Sequence, residues 1–143
     1  MRNVLLTGAT GAIGPSVTKA FFDAGYNVRI LAHCKADYNS LPSVQIWQGD
    51  VTDTLSVESA LVGIDAVVHM AALLHIINPP PELRTKYEHV NIRGTQIVVE
   101  AARKAKVRRI VFFSTIAVYG YSHGLLLNEG VVTNLLMVSA NTF

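Results

Sequence analysis

The residues richest in chemistry lie close to the start, in Thr7-Gly8-Ala9-Thr10-Gly11-Ala12-Ile13-Gly14. They follow a short apolar run and open a helix-patterned one, the setting in which a glycine-rich turn becomes an anion site. Gly8 suits a tight turn, Gly11 lets backbone amides approach a pyrophosphate, and Gly14 lets the helix pack on a sheet. Unpaired N–H groups and the positive end of the helix dipole then hold the phosphates, the dipole contributing about 0.3–1 kcal/mol. Thr10, Ala12 and Ile13 belong to the same turn and count with it as ligand-binding candidates. The competing reading is a structural turn that is merely glycine-rich. Cys34 is the single cysteine, so it forms neither an internal disulfide nor a metal cluster by itself and reads as an inert thiol; no metal site is expected. His69 points along an apolar strand with no acidic partner nearby in sequence, and reads as a core-edge histidine rather than a catalyst.

Short, almost wholly apolar runs alternate with amphipathic ones along the chain, the pattern of a parallel α/β sheet covered by helices on both faces. Strands are expected near Asn3–Thr7, Asn27–Ala32, Val44–Gln48, Ala66–Met70 and Arg109–Ser114, and helices near Ala12–Ala24, Leu55–Val62 and Glu82–Ala105. The first helix puts Ile13, Val17, Ala20, Phe21 and Ala24 on one stripe and closes on Gly25. Asn78-Pro79-Pro80-Pro81 makes a stiff lead-in to the third helix, because proline is accepted in a first turn but not inside. Right-handed crossovers favour a doubly wound sheet ordered 3-2-1-4-5, with its ligand crevice at the carboxyl ends of strands one and four.

Composition limits the function classes. The chain of 143 residues is 50% hydrophobic and 15% charged, and a single core at this length buries roughly 70% of the unfolded surface. Twelve basic and ten acidic residues give a net charge of +2 and are spread along the chain, so nucleic acid is not the expected partner. No apolar run approaches the ~20 residues of a membrane span. The first residues run straight into the glycine turn instead of a signal-peptide pattern. With one cysteine, reducing cytoplasm is the expected setting.

Several stretches match family patterns in the order the family has them. Thr7 to Gly14 matches T-G-x-x-G-x-x-G, Gly49-Asp50-Val51-Thr52-Asp53 matches G-D-[VLI]-x-D, and Asp65-Ala66-Val67-Val68-His69-Met70-Ala71-Ala72 matches D-x-V-[IVF]-H-x-A-[AG]. Val90-Asn91-Ile92-Arg93-Gly94-Thr95 matches V-N-x-x-G-T, and Ser114-Thr115-Ile116-Ala117-Val118-Tyr119-Gly120 matches S-[ST]-x-x-V-Y-G. Over about residues 1–120 the chain therefore resembles the extended short-chain dehydrogenases/reductases, the NAD-dependent epimerase/dehydratase family of the nucleotide-sugar epimerase kind. The resemblance implies a Rossmann-type NAD(P)-binding fold. It implies that Asp50, with Val51 beside it, contacts adenine, that Ala71, Ala72 and Leu73 pass the nicotinamide ribose, and that Asn91 supports the active-site backbone. Each position also has a structural reading: Asp50 as a strand-end cap, Ala71 and Ala72 as small residues for packing, Asn91 as a partner for local backbone. Convergence at the carboxyl ends of parallel strands tips the balance toward ligand binding.

NAD-preferring members carry an acidic residue at the end of strand two, whereas neutral and basic residues there tolerate the 2′-phosphate of NADP. This strand ends Ile30-Leu31-Ala32-His33-Cys34-Lys35, without a carboxylate at Ala32 or His33 and with His33 and Lys35 able to meet a phosphate. NAD or NADP is thus implied, NADP slightly favoured, with Asp37 keeping the choice open.

The resemblance makes Thr115 the catalytic hydroxyl, but the chemistry also needs a tyrosine acid/base with a lysine four residues later. No lysine follows Lys106, and neither Tyr119 nor Tyr121 has one at the required position. The expected organisation is an NAD(P)-binding core over 1–120, truncated after the fifth strand, and an atypical tail over 121–143. Asn128-Glu129 still resembles the loop after V-Y-G, whereas Val131 to Phe143 matches nothing in the family. In the frame that starts on the last base of each codon, Leu136 to Phe143 can give Tyr-Gly-Val-Ser-Lys-His-Phe, so a frameshift is one reading of the tail and simple truncation with an unrelated end is the other. The activity implied for a full-length parent is a nicotinamide-dependent change at a sugar carbon of a nucleotide sugar, in a homodimer, with this chain an inactive cofactor-binding portion. Two rivals remain: a dehydrogenase or reductase of a steroid, flavonoid or other small alcohol, and a non-catalytic NAD(P)-sensing module that regulates a partner.

Overall fold

Five parallel strands form one sheet in the order β3-β2-β1-β4-β5. They are β1 (Asn3–Thr7), β2 (Asn27–Ala32), β3 (Gln45–Gln48), β4 (Ala66–His69) and β5 (Arg109–Phe112). The computed structural model describes residues 2–34, 38, 41, 43–73, 81–114, 126 and 128. The strand order is the expected one, and each observed strand lies within two residues of its expected bounds. β1 lies at the centre, its Val4 paired with Val28 on one side and Ala66 on the other. Val4, Leu5 and Leu6 are fully buried, since a central strand covered on both faces has no solvent side.

The two faces carry separate cores. Val4, Leu6, Val28, Ile30 and Val68 meet Val17, Phe21 and Phe22 of α1 (Gly14–Asp23). Leu5, Leu31 and Val67 meet Val57, Ala60 and Leu61 around α2 (Thr54–Ala60), and Ile97, Val98, Ala101 and Ala102 of α4 (Thr95–Lys104). Alternation along β1 thus sends successive side chains to different helices. Among the described residues β5 is an edge strand, and its Ile110, Val111 and Phe112 are exposed.

Two helices depart from the reading of the sequence. α1 begins at Gly14, two residues later than expected, and its inward stripe runs through Gly14, Val17, Thr18 and Phe21. Ile13, expected on that stripe, occupies the cap position and is half exposed, while Ala20 and Ala24 face solvent. The helix closes as a Schellman turn: Gly25 has φ +77°, and the amide of Tyr26 donates to the carbonyl of Phe21. The long helix expected over Glu82–Ala105 is three consecutive pieces: α3 (Pro81–Tyr87), a π-helical segment Glu88–Gly94, and α4. Tertiary contacts impose the wider turn. Asn91 is tied to Leu73, and Gly94 packs so close to Val51 that an added Cβ would lie 3.0 Å from Val51 Cγ2.

Candidate functional site

The carboxyl ends of β1 to β4 open into one cleft of about 570 Å³. It is lined by Gly8, Thr10, Gly11, Ala12 and Ile13 after β1, by Leu31, His33 and Cys34 at the end of β2, and by Gly49, Asp50 and Val51 after β3. Met70, Ala71, Ala72 and Leu73 close it after β4. Most of the candidates drawn from the sequence therefore share one wall-to-wall space. Gly14 does not line it. It is buried behind the loop, where an added Cβ would fall on the carbonyl of Ala9. Asn91 stands behind the cleft as a clamp: Leu73 N–H donates to Asn91 Oδ1 at 2.8 Å, and Asn91 Nδ2 donates to Leu73 O at 3.1 Å. Lys35, Asp37, Thr115 and the tail from Tyr121 onward, apart from Leu126 and Asn128, lie outside the described residues.

The glycine loop is held from below and left open above. Gly8 adopts φ +73° and lies against the strand-four loop, so that a Cβ on it would come within 2.5 Å of Ala71 N and 2.6 Å of Met70 C. Gly11 N–H donates to Gly8 O and Gly14 N–H to Gly11 O, which coil the chain into the helix. No side chain caps the N-terminus of α1 and no acidic residue stands in its first turn. Gly11 and Gly14 spend their amides within the turn and Pro15 has none, so the amides of Thr10, Ala12 and Ile13, which line the cleft, are the donors left to it, beside the positive end of the dipole and with no repelling charge. Tyr38, which the sequence reading passed over, steadies the loop: its hydroxyl donates to Ala9 O and accepts from Thr18 Oγ1 at 3.4 Å.

Asp50 combines its two readings. Its Oδ1 accepts from both the amide and the hydroxyl of Thr52, each at 2.8 Å, which is the local turn of a strand-end aspartate. Its Oδ2 points to His33 Nε2 at 3.5 Å across the cleft wall, and the side chain is partly exposed. Burial pushes this carboxyl up, but the bonds from Thr52 and the charges of His33 and His89 outweigh it and hold it below its ordinary value. An ionised oxygen therefore faces the cleft. Lys86, at the end of α3, also lines the cleft and brings a positive side chain that the sequence reading missed, since nothing in its spacing marks it.

His69 is 1% exposed, with Nδ1 2.6 Å from Thr7 Oγ1 and Nε2 3.0 Å from Thr95 Oγ1. Burial lowers its pKa to about 4, so the ring is neutral at physiological pH. Asp65, at the opposite edge of the sheet, accepts from Asn3 N–H and pairs with Arg108, so it fastens β1 to β4 and β5 and takes no part in the cleft. Among the described residues no group of three or more His, Cys, Asp or Glu side chains is placed to hold a metal ion, and no helix is long and apolar enough to cross a membrane.

The model of the NAD dependent epimerase/dehydratase family matches residues 4–134. A 3 beta-hydroxysteroid dehydrogenase/Delta 5-->4-isomerase of Mycobacterium tuberculosis is 30% identical over 115 residues, which cover 78% of this chain and 31% of that protein. A UDP-glucose 4-epimerase of Neisseria meningitidis is 31% identical over 131 residues, 84% of this chain and 38% of that one. Among solved structures, the UDP-glucose-4-epimerase from Stenotrophomonas maltophila with bound NAD and formylated UDP-arabinopyranose superimposes with a TM-score of 0.79 at 27% identity, over 93% of this chain and 43% of that chain. The chain spans about a third of the length of the curated relatives it matches.

Proposed function

Since the chain belongs to the NAD dependent epimerase/dehydratase family, we propose that it binds a nicotinamide dinucleotide along the cleft, as the cofactor-binding portion of a nucleotide-sugar epimerase/dehydratase-type oxidoreductase. The observation that carries this is the uncapped start of α1 beneath Gly8–Ile13, opening on the same space as Asp50 and Ala71–Leu73. The pyrophosphate takes the loop amides, the adenosine lies toward His33, Asp50 and Val51, and the nicotinamide ribose passes Ala71, Ala72 and Leu73. Gly14 and Asn91 serve from behind, the first by letting α1 reach the loop and the second by fixing Leu73.

A bound nicotinamide dinucleotide accepts or returns hydride. The chain's own contribution is to orient it and to present Thr115, the hydroxyl that would bond the reacting oxygen. Residues 1–120 form the cofactor-binding unit in this reading and 121–143 a tail outside it. Without a Tyr-x-x-x-Lys pair after Gly120, this chain binds without turning over substrate by itself. The neutral end of β2 and the exposed His33 favour NADP over NAD, whereas the Stenotrophomonas relative was solved with NAD. Titration of the purified chain with NAD(H) and NADP(H) tests the assignment and its order of preference. Gly11→Val should abolish binding of both, and unchanged binding would remove the cleft from consideration.

The steroid dehydrogenase relative supports a second reading of the substrate, a hydroxyl on a larger apolar alcohol in place of a nucleotide sugar. A longer parent chain that oxidises sterols and ignores UDP-sugars would favour it.

A further inference from the structure

The hydrogen bonds around His69 fix more than a ring position. Thr95 donates its only hydroxyl proton to the carbonyl of Asn91 at 2.7 Å, so toward His69 it can only accept. His69 Nε2 therefore carries the ring proton, and Nδ1 is bare. Nδ1 accepts from the Thr7 hydroxyl at 2.6 Å, which leaves the Thr7 oxygen to accept from the amide of Ala71 at 3.3 Å. Every member of the series donates once in the same direction. The series starts at Ala71 on the cleft wall, crosses β1 and β4, and ends on Asn91 in the π-helical segment, whose side chain grips Leu73 on the same wall. The Phe112 ring, 5.7 Å away between centroids and inclined at 29°, holds the imidazole plane from β5.

Resting on the cofactor reading of the cleft, we propose that His69, held as its neutral Nε2–H tautomer, is a positioning residue: it completes a one-way hydrogen-bond series through Thr7 and Thr95 to Asn91, and the reciprocal Asn91–Leu73 clamp closes that series into a ring that sets the backbone of Ala71–Leu73 for the dinucleotide. The tautomer is dictated by the hydroxyls on either side, and the ring closes because Asn91 supplies both its last acceptor and the clamp on Leu73. Bonds in such a chain polarise one another, so a break at one link loosens the others. A lone buried histidine in an apolar strand would need only any partner for each nitrogen; here both partners lead back to one loop.

Two measurements on the whole chain test this. A long-range 1H–15N spectrum of the His69 imidazole is expected to show Nε2 protonated and Nδ1 bare; the Nδ1–H tautomer would overturn the proposal. Thr95→Val removes the link between His69 and Asn91 without changing side-chain shape. It should speed hydrogen exchange at Ala71 and Leu73 by about tenfold, near the worth of one hydrogen bond, while the amides of β1 and β2 exchange as in the parent. Exchange at Ala71 and Leu73 equal to the parent, or a uniform rise throughout the sheet, would refute a positioning role. NADP(H) affinity should fall by about tenfold or less in the same variant. If the parent chain itself binds no dinucleotide, the cofactor reading fails while the ring is still judged by its tautomer and its exchange pattern.

Discussion

Substituting alanine at Gly8, Gly11 and Gly14 in turn should separate fold from ligand binding, because the three positions meet different surroundings. At Gly14 a Cβ would fall on the Ala9 carbonyl, which is backbone and has little freedom to give way. At Gly8 it would come within 2.5–2.7 Å of the Met70–Ala71 backbone at a φ of +73°, adding roughly 1–2 kcal/mol for the left-handed conformation to the overlap. Each overlap costs about 1–3 kcal/mol, and ~1 kcal/mol moves Tm by roughly 3 °C in a chain of this size. Gly14→Ala should therefore lower Tm by about 3–9 °C, and Gly8→Ala by more. Gly11 meets only Gly8 O, at 3.2 Å, so its methyl fits after a shift of a few tenths of an ångström and points into the cleft. Gly11→Ala should change Tm by no more than about 2 °C, since removing a glycine's extra unfolded freedom offsets the small crowding. Yet it should weaken NAD(P)(H) binding by roughly ten- to a hundredfold, the worth of one charge-assisted bond from a backbone amide to phosphate. Differential scanning fluorimetry and calorimetric titration read the two quantities separately. A Gly11→Ala chain that binds like the parent would refute the phosphate-loop assignment. A Gly14→Ala chain as stable as the parent would refute the packing argument.

Asp50→Ala should lower affinity for the dinucleotide by about tenfold or less and stability by about 1 kcal/mol, because Oδ2 faces the cleft while Oδ1 holds Thr52; loss of stability alone, measured by urea melts beside titrations, would leave Asp50 only its turn. The unfolded chain binds a proton at His69 below about pH 6.5, whereas the folded chain resists it down to about pH 4. Stability from this group is therefore complete above pH 6.5 and falls by roughly 3 kcal/mol as pH drops to about 4, and urea melts across that range should lose the slope in His69→Gln. Asp50, Asp53 and Asp65, all held below their ordinary value, lose their contribution only at lower pH. Incubation of the chain with UDP-sugars and NAD(P) should give no product by chromatography; turnover that disappears in Thr115→Ala would overturn the inactive-portion reading.

The sheet was legible because its code is local: short apolar runs and the turns between them determine where strands lie, and handedness determines their order. The glycine loop was legible because its residues are contiguous. What escaped is what depends on distant partners. Periodicity over Glu82–Ala105 does not register a π-helical turn, whose cause is Asn91 reaching Leu73 and Gly94 pressing on Val51. Ile13 satisfies an apolar stripe on paper, but the helix starts a residue later and turns it outward. Tyr38 and Lys86 stand in stretches whose local patterns say nothing of the cleft they serve. The acid nearest His69 in sequence, Asp65, is taken up at the other end of β4 by Asn3 and Arg108, and the partners of His69 are two hydroxyls, one 62 residues earlier and one 26 later.

The central place of β1 bears on how the protein is made. Its β2 partner follows 24 residues later, but its other edge waits for β4, with Val4 opposite Ala66 and Gly8 resting on Ala71. On the ribosome β1 and its glycine loop are synthesised well before β4 and secured late, only once Met70–Leu73 has left the exit tunnel. Closing so long a loop is costly in chain entropy and slow compared with pairing neighbours. Until then the apolar residues Val4, Leu5 and Leu6 lack the partner on their second edge, an exposure that favours association between unfinished chains.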